Sequence, residues 1–203
     1  MQGAGHKIIL IGDYAVGKSS IVHWFRHSVP PRSTIPTIGA SFCSTTAKVR
    51  DQTIQYSIWD TAGQERFRSL VRSYYKKAQV CLCVFDVTDR SSFDNIHYWI
   101  NDYYDNCGDM IGLVAMVANK CDKPVTSWAV SDAEIDSICA RYHCDCYRTS
   151  CINGQGIDFM FTDVGAHILG FKGIPLLVPE PAVVVEPKLL PPPNSNGCCW
   201  VCK

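Results

Sequence analysis

The 203-residue chain has no charge excess, since nineteen Lys and Arg balance nineteen Asp and Glu. A balanced surface offers no electrostatic footprint for a phosphate backbone, so no nucleic-acid partner is expected. Long hydrophobic runs are also missing. The longest, VCLCVF (80–85) and IGLVAMVA (111–118), fall far short of the ~20 apolar residues of a membrane-crossing helix. They suit buried strands instead. The opening MQGAGHK holds no apolar segment of a signal peptide, and Gln rather than Gly follows Met, so neither secretion nor myristoylation is indicated. A cytosolic protein is the expectation.

Cysteine, by contrast, is plentiful at twelve residues. Without a secretory signal the spacing speaks for reduced thiols used as small hydrophobes: Cys81 and Cys83, Cys144 and Cys146, Cys107, Cys121 and Cys139. HCDC (143–146) offers His143, Cys144 and Cys146 to zinc, but no second ligand pair follows at zinc spacing. An apolar content of 47% and a charged content of 19% are those of one ordinary soluble domain.

KIILI (7–11) reads as a buried strand entering a glycine loop, and Ile21, Trp24 and Phe25 then recur at helical spacing. Strands are expected from about Ser41 to Val49, over 53–59, over 80–85 and over 111–118. A helix starting near Ser92 would bury Phe93, Ile96, Ile100 and Tyr103 or Tyr104. Ser131 with Glu134 forms a capping box for another, and Ile157, Met160, Phe161, Val164 and Ile168 mark a last helix closed by Gly170. Alternating strands and helices imply a mostly parallel sheet covered on both faces, with ligands at the carboxyl ends of the strands. From about Phe171 seven of the eleven prolines crowd the chain, so the domain is expected to span 1–170 and a flexible tail 171–203.

Four motifs fall in loops after strands. In GDYAVGKSS (12–20) the spacing G-x-x-x-x-G-K-S allows backbone N–H groups to cradle phosphate oxygens, with Lys18 on the outer phosphates and the Ser19 hydroxyl on Mg²⁺. Asp13, Ala15, Val16, Gly17 and Ser20 complete this nucleotide-binding loop. In WDTAGQE (59–65) Asp60 is a candidate for the Mg²⁺ shell, the Gly63 N–H for the γ-phosphate and Gln64 for orienting the attacking water. Thr37 of PTIG (36–39) is a candidate to close on Mg²⁺ with its hydroxyl. In NKCD (119–122) Asn119, Lys120 and Asp122 frame a guanine site, because a carboxylate accepts from the guanine N1–H and N2 amino groups while adenine leaves it unpaired. Such a site can discriminate by ~10⁴ or more.

These motifs in this order resemble the small GTPases, and IWDTAGQERFRSL, the Tyr74-Tyr75 pair and the C-terminal Cys198-Cys199 pair resemble the Rab family in particular. AVGKSSIV with PTIGASF is most similar to its early-endosomal group. The resemblance covers residues 7 to about 170 and the cysteine tail. It implies an α/β three-layer P-loop GTPase fold (a G domain) with a six-stranded, mostly parallel sheet and five helices. It also implies GTP/GDP and Mg²⁺ binding, slow GTP hydrolysis with Gln64, Lys18 and Thr37 as the catalytic set, and switch loops near 30–41 and 60–76. Phe42, Trp59 and Tyr74 would form the effector-facing aromatic triad, whose plain alternative is packing under the switches. The implied partners are an exchange factor, a GTPase-activating protein, effectors, an escort protein and a GDP-dissociation inhibitor. Prenyl groups on Cys198 and Cys199 would tether the protein to the cytosolic face of endosomal or vesicle membranes for a role in traffic.

Three departures qualify the likeness. Pro30 stands where the family carries a phenylalanine against guanine, which at ~1 kcal/mol for an aromatic pair predicts faster GDP release. Ser150-Cys151-Ile152 replaces the family's Ser-Ala-Lys; Cys151 acts through its backbone N–H, while Ile152 supplies only the apolar part of the lysine. Tyr14 fills a loop position that is Ser or Gly in Rabs. Its phenol either crowds Gln64 and an incoming arginine finger, worth ~10³ to 10⁵ in rate, or turns harmlessly to solvent. The first case would make the chain a GTP-loaded binding scaffold with negligible hydrolysis. No lid-like arginine cluster supports a metabolic kinase. The ending W-V-C-K is not a CaaX box, Cys199 and Cys202 form a C-x-x-C, and few lysines flank them. The about 27 residues before the cysteine pair reach at most about 80 Å.

Overall fold

The computed structural model describes residues 5–33 and 35–171. Its elements run β1 (His6–Ile11), α1 (Lys18–His27), β2 (Ala40–Val49), β3 (Gln52–Thr61), α2 (Arg68–Arg72), β4 (Val80–Asp86), α3 (Arg90–Asp94), α4 (Ile96–Asn106), β5 (Leu113–Asn119), α5 (Asp132–Tyr142), β6 (Asp145–Arg148) and α6 (Ile157–Ile168). The strands form one six-stranded sheet in the order β2-β3-β1-β4-β5-β6. Only the β2–β3 hairpin is antiparallel. Helices α3 and α4 are separated by Asn95 alone, so they are one interrupted helix and the expected five-helix layout holds.

The pattern of β1 shows why the sheet is covered twice. Ile8 and Leu10 enter a core with α1 and α6, while Ile9 and Ile11 enter the other with α4 and α5. A continuous apolar run is the sequence form of such a strand, buried on both faces. The edge strand β2 instead alternates half-buried with exposed residues. Strand β1 is joined to β3 on one side and β4 on the other, so its carboxyl end opens at the crevice where ligands sit in sheets of this kind.

Several boundaries differ from expectation for local reasons. Strand β5 begins at Leu113, leaving Met110 and Ile111 exposed. The Asp89 side chain accepts from the Ser91 N–H, which starts α3 at Arg90 rather than near Ser92. The Ser131–Glu134 capping box forms in both directions as read. The sixth strand lies within and just after HCDC, a stretch read for apolar thiols and for metal but not as a strand. At four residues with two charges it is too short to show a period. The short helix α2 also has no signal of its own. Cys81, Cys83 and Cys107 are buried, whereas Cys121, Cys139, Cys144 and Cys146 are only part-buried.

Candidate functional site

The glycine loop between β1 and α1 is shaped by its neighbours. Gly12 has φ +134°, and a Cβ there would stand 2.1 Å from the Val84 carbonyl oxygen. Gly17 has φ +101°, and its Cβ would meet Asn119 Nδ2 at 2.2 Å. Both therefore need glycine for backbone angle and for space. Ala15 holds φ 62° without that excuse, a strain of the kind that gathers at functional sites.

Lys18 begins α1 and is only 5% exposed. Its ammonium donates to the carbonyls of Gly12 and Asp13, both at 2.7 Å, and so folds the loop around itself. Burial pulls its pKa down to about 8, against the opposing pull of Asp60 and Asp13. The Asp13 carboxylate points away from the loop's interior, accepting from Asn95 Nδ2 and Trp99 Nε1, each at 2.7 Å. Only the backbone of Asp13 is left to serve a ligand. Neither Asn95 nor Trp99 was anticipated from the sequence, because they lie more than eighty residues downstream with no spacing to tie them to the loop.

One residue on in the helix, the Ser19 hydroxyl donates to Asp60 Oδ2 at 2.6 Å and lies 2.9 Å from Thr37 Oγ1. Thr37 donates to the same carboxylate oxygen at 3.3 Å. The start of α1, the loop before β2 and the end of β3 thus meet at one carboxylate. The other oxygen, Asp60 Oδ1, is buried without a hydrogen-bond partner, and burial raises the Asp60 pKa. An orphaned buried carboxylate oxygen beside two hydroxyls is an all-oxygen donor set that suits a hard divalent cation such as Mg²⁺. The three residues fit the ion.

Strand β5 ends in the base-side group. Asn119 donates through Nδ2 to the Val16 carbonyl at 2.8 Å and accepts from Thr149 Oγ1 at 3.1 Å, so it ties the phosphate loop to the 149–152 segment. Ser150 donates to Asp122 Oδ1 at 2.7 Å and accepts from the Ile152 N–H. Lys120 pairs with Asp86 across the sheet end. Cys151 is buried, its Sγ 3.6 Å from Asn119 Oδ1.

A cavity of about 510 Å³ joins these groups. Its walls include Tyr14, Ala15, Gly17, Lys18, Ser19, Ser20, Thr37, Gly63, Asn119, Lys120, Asp122, Cys151 and Ile152. Of the other candidates, Asp13, Val16, Asp60 and Ser150 stand behind the walls. Gln64 is not on the wall: its side-chain carbonyl accepts from Arg66 Nε at 2.8 Å, within the same loop. Tyr14 is 53% exposed at the rim. A Cβ on Gly63 would come within 2.5 Å of the Asp13–Tyr14 backbone, so the 60–67 loop is seated directly on the phosphate loop. Pro31, Ile35 and Ile152 contribute aliphatic surface to the wall; Pro31 lines the cavity, and Pro30 does not.

Beside the cavity, Phe42, Trp59 and Tyr74 form a contiguous row, with ring centroids 5.2 Å and 5.1 Å apart. Phe42 is 54% exposed. Trp59, the middle ring, immediately precedes Asp60 in the chain, so the row passes one residue from the carboxylate cluster.

Comparison with known proteins gives the family. Residues 7–170 match the Ras family. The chain is 45% identical over 162 residues to "Probable Rab-related GTPase" of Acanthamoeba polyphaga mimivirus, covering 79% of this chain and 75% of that one. It is 35% identical over 162 residues to "Ras-related protein RABE1e" of Arabidopsis thaliana, covering 80% and 74%. It is 43% identical over 118 residues to "Ras-related protein Rab-18" of Caenorhabditis elegans, covering 58% of each chain.

Proposed function

From the premise that this chain belongs to the Ras family of small GTPases, on its Rab branch, we propose that it is a GTP-gated switch in vesicle traffic whose aromatic row recruits effectors. As a member of that family it binds GTP and GDP with Mg²⁺ and hydrolyses GTP to GDP. The observation that carries the switch reading is the meeting of Ser19, Thr37 and Asp60 at one buried carboxylate. Thr37 lies in the loop before β2 and Asp60 near the end of β3, just ahead of the loop that carries Gly63 and Gln64, so occupancy of a single site sets the position of both loops.

Ser19, Thr37 and Asp60 would hold the ion, which when bound neutralises charge on the phosphate oxygens. Lys18 places its ammonium at the outer phosphates, and the loop N–H groups from Ala15 to Ser20 orient them. The Gly63 N–H, seated on the phosphate loop, faces the terminal phosphoryl position. Gln64 must leave Arg66 to orient the attacking water, which gives an activating protein a defined task. Asp122, already held by Ser150, accepts from guanine, and the Cys151 N–H donates to its O6.

When the terminal phosphate leaves, Thr37 and Gly63 lose their hold and the loops are released. The change reaches Trp59 through its neighbour Asp60 and the Ala62 N–H bond to the Gly39 carbonyl at 2.8 Å, which ties the two loops together. Exchange factor, activating protein, effectors, escort protein and GDP-dissociation inhibitor are the partners this cycle requires. Prenylation at Cys198 and Cys199 would supply the membrane anchor of an endosomal or vesicle protein; both lie outside the described residues, as does the 172–203 part of the tail. No helix among the described residues is long and apolar enough to cross a membrane.

Hydrogen exchange on protein loaded with GDP or with a non-hydrolysable GTP analogue tests the reading. Residues 35–42 and 60–75 are expected to gain protection with the analogue. Identical exchange of both segments in the two states would refute the switch.

A further inference from the structure

A second chemical site lies away from the nucleotide cavity, where α5 hands over to β6. His143 takes a left-handed backbone (φ 50°), and the chain reverses so that the Cys144 N–H donates to the Cys139 carbonyl at 3.1 Å. This helix ending brings the side chains of the two bonded residues against each other. Cys146 follows two residues later on the same face of β6 and stands in register beside Met116 of β5. Cys139 Sγ is 3.9 Å from Met116 Sδ, which seats it over the Met116–Cys146 row. All three cysteines are part-buried. Among the described residues no group of three His, Cys, Asp or Glu is arranged to hold a metal, so the cluster is left with thiol chemistry.

We infer that Cys139 is a peroxide-reactive thiol that closes a disulfide with the adjacent Cys144–Cys146 pair. Hydrogen bonding from Cys146 and then Cys144 draws the Cys139 thiol down to about 7, while burial pushes Cys144 up to about 12. Cys139, held to Cys144 by the helix ending and seated over the Met116–Cys146 row, is the thiol that adjoins both others. The Cys139 thiolate attacks the O–O bond of hydrogen peroxide, forming a sulfenic acid as hydroxide leaves. The Cys144 or Cys146 thiol then loses its proton and attacks the Cys139 sulfur; the S–S bond forms, the S–O bond breaks and water departs. Two electrons pass from the thiols to the peroxide. Strand β6 runs directly into Thr149 and Ser150, so the cross-link sits on the strand that feeds the base-side loop.

The test treats the full chain with hydrogen peroxide and maps tryptic peptides. Lys123 precedes proline, so cleavage leaves Cys139 in 121–141 and both partners in 142–148. The expected product is these two peptides joined, two hydrogens lighter than their sum and separated again by dithiothreitol. Cys139→Ser abolishes the link. The double variant Cys144→Ser with Cys146→Ser leaves Cys139 as a sulfenic acid captured by a 1,3-dione probe. A link that survives Cys139→Ser would overturn the inference, since Cys121 would then be the reactive thiol. Cys139 that is still freely alkylated after peroxide has oxidised the tail thiols would overturn it as well. So would a link that forms only as the near-ultraviolet circular dichroism of the folded chain is lost.

Discussion

Raising the pH from 7 to 9 should weaken guanine-nucleotide binding about tenfold through Lys18 alone. In the free protein its ammonium has two backbone carbonyls and no carboxylate contact, and burial sets its pKa at about 8. A bound polyphosphate restores the counter-charge, so the bound form keeps its proton to much higher pH. The sign follows: in this window the complex binds more protons than the free protein, and affinity falls as pH rises through 8. The protonated fraction of free Lys18 drops from about 0.9 at pH 7 to about 0.1 at pH 9, a cost of about 1.4 kcal/mol. Calorimetry with GDP and Mg²⁺ in two buffers of different ionisation enthalpy reads the effect directly. Proton uptake of about 0.1 at pH 7 and about 0.9 at pH 9 is expected. Equal affinity at both pH values, with no proton uptake at the higher one, would refute the reasoning. The linkage runs the other way for nucleotide-free stability. The unfolded lysine titrates near 10.4, so the unfolded chain binds more protons between about 8 and 10.4 and stability rises with pH there.

Three substitutions probe other parts of the site. Tyr14→Ser should leave the intrinsic hydrolysis rate unchanged, because the ring is half exposed at the rim; the decisive measurement is turnover with an activating protein, where equal rates clear the tyrosine and a gain of tenfold or more convicts it of excluding an arginine finger worth ~10³ to 10⁵. Replacing Pro30 by Phe should slow GDP release by about fivefold, the value of ~1 kcal/mol of ring contact, and an unchanged off-rate in a fluorescent-GDP chase would show that Pro31, Ile35 and Ile152 already hold the base. Trp99→Phe removes one of the two hydrogen bonds on the Asp13 carboxylate and should cost about 1.5–3 kcal/mol of stability in urea unfolding, while a midpoint equal to wild type would mean that Asn95 alone suffices.

The local order of groups was legible in the chain because it is a matter of spacing. Gly12 to Ser19 has the spacing of a phosphate loop set between a buried strand and a helix, and the apolar run at 80–85 has the length of a strand covered on both sides. The spacing of NKCD likewise put the Asp122 carboxylate just beyond the end of β5, on the cavity wall. What the tertiary structure decided concerns partners remote in sequence. No period ties Asp13 to Asn95 and Trp99, and none shows that Gln64 rests on Arg66 or that Pro31 takes the wall position left by Pro30. The four residues of β6 gain strand geometry from pairing with β5, a non-local contact that a short, half-charged segment cannot announce. The cysteines carry the sharpest contrast. Composition alone made them small hydrophobes, and only the reversal at His143 and the register of β6 beside Met116 gathered three of them into one reactive group.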